Sequence, residues 1–251
     1  MKILSLNRIV MVSDGGQLPL PVVLDVEARF DTFSAGPNAA LVAALRNIAA
    51  PGVWISGDAQ SGRSHLLQAI VAAQPAGRAV YLPLKAIPAS ESIQGLPDGV
   101  IVCLDDVHTV AGVDAWERAI FLLYEQMLKT DGRLVVSAGN VVNESGFSLP
   151  DLASRLNALS TFRLRPPDDA GQVSALKKRA DIRGLKLSDD AAQYMLRHLP
   201  RALSEQFEWL TILDHRSLAA RRKLTLPFVR DVIGEAGAQL ATAKAQLNLS
   251  R

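Results

Sequence analysis

Five short runs dense in Val, Ile and Leu recur through the chain: VWIS (53–56), RAVYLPL (78–84), VIVCLD (100–105), RLVVSAG (133–139) and STFRLR (160–165). Strands of this kind, apolar without alternation, are buried on both faces, which requires a parallel sheet covered by helices. The intervening stretches have the spacing of covering helices. PNAALVAALRNIAA (37–50) sets Leu41, Ala44, Leu45 and Ile48 on one side, and RSHLLQAIVAA follows the first strand. AWERAIFLLYEQMLK begins after Asp114, with Glu117 three residues on, the spacing of a capping box. LPDLASRLNAL (149–159) supplies a short helix before the fifth strand. PPDD (166–169) breaks the alternation, and helices are expected near 169–183, 189–199, 203–220 and 226–236, with Gly184 stopping the first and Ser188 and Thr225 as N-caps. The expected fold class is therefore α/β, a parallel five-stranded sheet flanked by helices, followed by a small all-helical domain.

Composition narrows the setting. Hydrophobic residues make up 49% of the 251 and charged residues 21%, a globular balance. A net charge of +2 is too small for long-range attraction to nucleic acid to be assumed. The single cysteine, Cys103, excludes a disulfide framework and suits a reducing cytoplasm; in VIVCLDD it reads as a small core residue. No apolar run reaches bilayer length. His65, His108, His198 and His215 share no ligand spacing, so no resident metal site built on them is expected. The basic runs KKR (177–179) and RRK (221–223) read as solvated helix faces more readily than as phosphate contacts.

Two motifs carry chemistry. GDAQSGRS (57–64) lies between a strand and a helix and fits G-x-x-x-x-G-K-[ST] at Gly57, Gly62 and Ser64, with Arg63 in place of lysine. Glycines let backbone N–H groups converge on phosphates, and the helix start adds its positive end. Arginine keeps the charge but is planar and bulkier. Alone, the motif reads equally as a Gly-rich turn. VIVCLDD (100–106) is an apolar strand ending in two acids, the arrangement with which a phosphate-loop enzyme positions Mg²⁺ and orients water. Asp105 would face the metal through water, and Asp106 would take the place of the base.

Together with FDTFSAGPNAALVAAL (30–45), VYLPL (80–84), WERAIFLLYEQML (116–128), LPDLASRL (149–156) and RRKLTLPFV (221–229), these motifs make the chain resemble the AAA+ ATPases over about residues 17 to 235. Within them it resembles the Hda-like group of the DnaA-related branch, which also carries arginine at the lysine position of the loop. The resemblance implies residues 1–29 as an extended N-terminal arm, 30–166 as the nucleotide-binding α/β domain, 167–238 as a helical lid and 239–251 as a tail. It implies ADP or ATP, with Mg²⁺, as cofactors. Gly57, Gly62, Arg63, Ser64, Asp105 and Asp106 would line their site.

The resemblance also assigns roles outside that loop. Arg155, in the SRL triplet, corresponds to an arginine finger that enters a neighbouring subunit's nucleotide site; without the resemblance it reads as a surface arginine pairing with Asp151 one turn back. Gln17, Leu18, Pro19, Leu20 and Pro21 match a peptide that docks on the DNA polymerase sliding clamp (beta subunit), where prolines hold the segment extended before binding. A polar sensor at the end of the fourth strand falls on Ser137 or Asn140. The lid's sensor arginine falls on Ser204, with Arg201 one turn upstream as a substitute. The implied function is negative regulation of replication initiation, with DnaA and the clamp as partners and a homodimer allowed. Independent ATP hydrolysis, sequence-specific DNA binding and membrane association are not expected. Two alternatives stand beside this: a clamp-tethered adaptor with an inactive nucleotide pocket, and an autonomous AAA+ ATPase such as a helicase loader.

Overall fold

The computed structural model describes residues 24–220 and 223–236; the expected clamp peptide at 17–21, the tail and Arg221–Arg222 lie outside them. The chain divides into two compact units between Pro166 and Pro167.

In the first unit, β1 (Gly52–Ser56), β2 (Ala79–Pro83), β3 (Ile101–Asp105), β4 (Arg133–Ala138) and β5 (Ser160–Arg163) form one sheet in the order β2-β3-β4-β1-β5. Every pairing is parallel, as runs without polar alternation require. Alternate residues enter opposite cores. Trp54, Leu82, Val102, Leu104, Leu134 and Val136 face one, which α3 (Asp114–Lys129) closes with Ile120, Leu123 and Met127 and α4 (Pro150–Asn157) with Leu152 and Leu156. Val53, Ile55, Tyr81, Cys103 and Val135 face the other, under α1 (Ala39–Arg46) and α2 (Arg63–Ala73). Cys103 is fully buried, and burial, aided by Asp105, pushes its thiol well above the ordinary range, so it is a core residue.

Two local expectations are corrected. The helix expected over 37–50 is a short 3₁₀ turn, Gly36–Asn38, followed by α1, which stops where Asn47 turns extended at φ −140°. The buried Asn38 amide instead ties this turn to the end of β5, donating to Arg165 O at 2.9 Å and accepting from Arg165 N at 2.8 Å. Nor do Asp114 and Glu117 form a capping box: Val113 caps α3 without a side-chain bond, and Asp114 pairs with Arg118. Glu117, 1% exposed, accepts the N–H of Gly112 at 2.6 Å, of Ser148 at 2.9 Å and of Leu149 at 2.6 Å. One carboxylate thus joins the start of α3 to the residues that lead into α4.

In the second unit, α5 (Asp169–Ile182), α6 (Asp189–His198), α7 (Leu203–Ala220) and a helical segment over 226–236 surround Leu176, Met195, Leu210, Leu213, Phe228 and Val229. Asp168 caps α5 by accepting from Gly171 N at 2.8 Å, and Ser188 caps α6 as its position predicts. Gly184 ends α5 in the left-handed conformation, φ 72°, where a Cβ would be strained.

Candidate functional site

The loop from Gly57 to Ser64 runs from the end of β1 into α2, on the carboxyl edge of a parallel sheet, where such folds bind ligands. Gln60 and Gly62 are left-handed, at φ 64° and 101°. A Cβ on Gly57 would come within 2.9 Å of Ser61 Oγ, and one on Gly62 within 3.0 Å of the Phe33 ring. Helix α2 starts without a side-chain cap, leaving its first N–H groups for an acceptor from outside the helix. Two further polar atoms here are buried with no partner, Ser61 Oγ and Arg63 Nη1. Uncapped amides, a buried hydroxyl and a buried guanidinium nitrogen fit the phosphates of a nucleotide.

The acids at the end of β3 are already engaged. Asp106 sits in the left-handed region at φ 58°, which Asp tolerates better than most residues. Its Oδ1 meets Arg63 Nη2 at 2.9 Å and its Oδ2 meets Lys85 Nζ at 2.8 Å. Arg63, only 8% exposed, therefore turns across the loop toward β3. Asp105 is buried and accepts the Tyr81 hydroxyl at 2.6 Å and the Ser137 hydroxyl. Burial, then Asp105 itself, raises the Tyr81 hydroxyl far above its ordinary pKa, so it remains a donor. Of the two candidates on β4, Ser137 is the one that reaches these acids, its oxygen also accepting from Asp106 N at 3.0 Å. This donor set does not fit Mg²⁺: each oxygen of both acids already has a partner, and two side-chain cations stand on Asp106 where the metal's charge would go. Among the described residues no three His, Cys, Asp or Glu side chains cluster as metal ligands.

Tyr81, Lys85 and Ser137 thus complete a network that the motifs alone did not contain. Ser137 is one of the two positions at which the resemblance implies a polar sensor; Lys85 carries no local signal, because only the β2–β3 pairing brings it beside Asp106.

His108, just past these acids, accepts from Gly139 N through Nδ1 at 3.2 Å, which requires an unprotonated nitrogen. Burial lowers its pKa from the ordinary 6.5; Arg63 and Lys85 push the same way, while Asp106 and Asp105 oppose. Between the folded and unfolded values the unfolded chain holds more protons, so stability falls as pH drops below about 6.5. Thermal melts across this range should show that slope, and His108→Gln should flatten it.

Arg155 lies on the exposed side of α4, which Leu152 and Leu156 anchor to the core. Its partner is Glu125 of α3, with Nε 3.0 Å from Oε1, and not Asp151. The contact is ionic and lacks the angle of a directional hydrogen bond, and the Arg155 side chain remains 49% exposed.

In the second unit, Arg201 lies 3.6 Å from Asp169, and both line a cavity of about 480 Å³ with Val173, Gln193, Leu196, Arg197 and Leu199. Ser204 is exposed near the start of α7. The KKR run is largely committed to the fold: Lys177 pairs with Asp189 at 2.6 Å, and Arg179 lies over the Phe207 ring at 4.9 Å.

Residues 169–233 match the family model described as Hda, lid domain. The chain is similar to domain III of the replication initiation protein DnaA from Thermotoga maritima: TM-score 0.69 and 16% identity, over 85% of this chain and 98% of that one. It is also similar to AMPPCP-bound DnaA from Aquifex aeolicus, with TM-score 0.60 and 17% identity over 76% of this chain and 66% of that one. The Thermotoga maritima RuvB Holliday junction branch migration motor aligns with TM-score 0.59 and 14% identity, over 84% and 69% of the two chains. At these identities the likenesses establish the fold alone, and the family match is confined to residues 169–233.

Proposed function

We propose that this chain, an Hda-type protein of the DnaA-related AAA+ family, is a negative regulator of replication initiation that promotes hydrolysis of ATP bound to DnaA. The observation that carries the reading is Arg155: a guanidinium held at the surface by Glu125 on a helix whose other face is anchored in the core. Placed beside a partner's γ-phosphate, it would stabilise charge as the terminal bond breaks. Glu125 restrains the side chain without covering it, which lowers the ordering cost of insertion.

The chain's own loop plays a supporting part. Gly57, Gly62, Arg63 and Ser64 would hold a bound nucleotide's phosphates, and the nucleotide would order the loop. With Asp106 paired to Arg63 and Lys85, the carboxylate expected to orient water is already engaged, which argues against the autonomous-ATPase reading. The purified chain alone should therefore release almost no phosphate from ATP.

Residues 17–21 would bring the protein to DNA by docking on the sliding clamp, with Leu18 and Leu20 in an apolar groove and Gln17 at its edge. A peptide of this size should bind with a Kd of about 1 μM, roughly −8 kcal/mol. Deleting residues 17–21 should abolish retention on clamp-loaded DNA, measured by co-sedimentation; unchanged retention would remove the docking claim. The same engaged pocket suits a clamp-tethered adaptor as the second reading, in which Arg155 would be dispensable.

A further inference from the structure

We propose that the Gly57–Ser64 loop binds a nucleoside diphosphate without a divalent cation, Arg63 and Lys85 occupying the charge-neutralising place beside Asp106 that a metal ion would need. This rests on the reading of that loop as a nucleotide site.

Mg²⁺ is small, demands nearly octahedral oxygen ligands and sheds water reluctantly. To reach Asp106 it would have to break the ion pairs at 2.9 and 2.8 Å, the first on a side chain 9% exposed. At Asp105, directly or through a water, it would compete with the hydroxyls of Tyr81 and Ser137, one on each carboxylate oxygen and both inside the core. Each oxygen of both acids already has a partner, and those on Asp106 are cations that would repel a metal ion.

The anion side is the reverse. Arg63 spends Nη2 on Asp106 but leaves Nη1 buried and unpartnered, and Ser61 Oγ is in the same condition. A buried donor without an acceptor is costly, and a phosphate oxygen would meet both needs. With the uncapped start of α2, these groups can cradle two phosphates by direct hydrogen bonds. A third phosphate would add charge that only a metal or further cations could neutralise, so the diphosphate is the better match.

The test is calorimetric titration of the full chain with ADP, once with excess Mg²⁺ and once with excess EDTA. The expected result is saturable binding in both, the two Kd values within about fivefold, or 1 kcal/mol. Binding that weakens fivefold or more in EDTA would overturn the proposal while leaving the nucleotide site intact. Absence of binding in both buffers would overturn it together with that site.

Discussion

Arg155→Ala is expected to reduce stimulated hydrolysis of DnaA-bound ATP by about 10³-fold or more, the range of fingers supplied across a subunit boundary. The side chain is half-exposed and its aliphatic stem contributes little to the core, so the variant should fold and stay on the clamp. Arg155→Lys should recover little, because a lysine cannot reproduce the planar fork of a guanidinium. Glu125→Gln would separate restraint from chemistry: the finger would remain but swing more freely, giving a loss well short of that from Arg155→Ala. Measured as single-turnover phosphate release, full activity of Arg155→Ala would favour the adaptor reading.

The second large effect concerns folding. Glu117→Ala should destabilise the first unit by about 3 kcal/mol, since it leaves the N–H groups of Gly112, Ser148 and Leu149 without their acceptor and opens a void. For a unit of this size that corresponds to a drop in Tm of roughly 6–12 °C. Because Ser148 and Leu149 lead directly into α4, the damage should reach Arg155 as well. Glu117→Gln keeps shape and one acceptor oxygen and should fall between. A Tm unchanged in Glu117→Ala would mean that water replaces the carboxylate at no cost.

These two residues also mark where the sequence was legible. The strands were plain, because a central parallel strand must be apolar on both faces and VIVCLD can hardly be anything else. The Gly57–Ser64 loop was legible as a glycine-rich turn between a strand and a helix, which is a local property, and became a phosphate-loop candidate only together with VIVCLDD. Glu117 was misread because its spacing from Asp114 imitates a capping box, while two of its actual partners lie 31 and 32 residues away. Arg63 was legible as a charge in the loop, but its turn toward Asp106 depends on a contact 43 residues distant. Lys85 and Tyr81 gave no signal, since their roles arise from strand pairing and not from neighbours in the chain. Arg155 is the extreme case: one arginine on a short helix says nothing until a resemblance supplies the partner.

The central claim is most directly tested by loading labelled ATP on DnaA alone, adding this chain on clamp-bearing DNA, and following one turnover of phosphate release. The account predicts rapid release when all components are present and only the slow basal rate when either the chain or the clamp is omitted. Release at the basal rate in the complete mixture would contradict it.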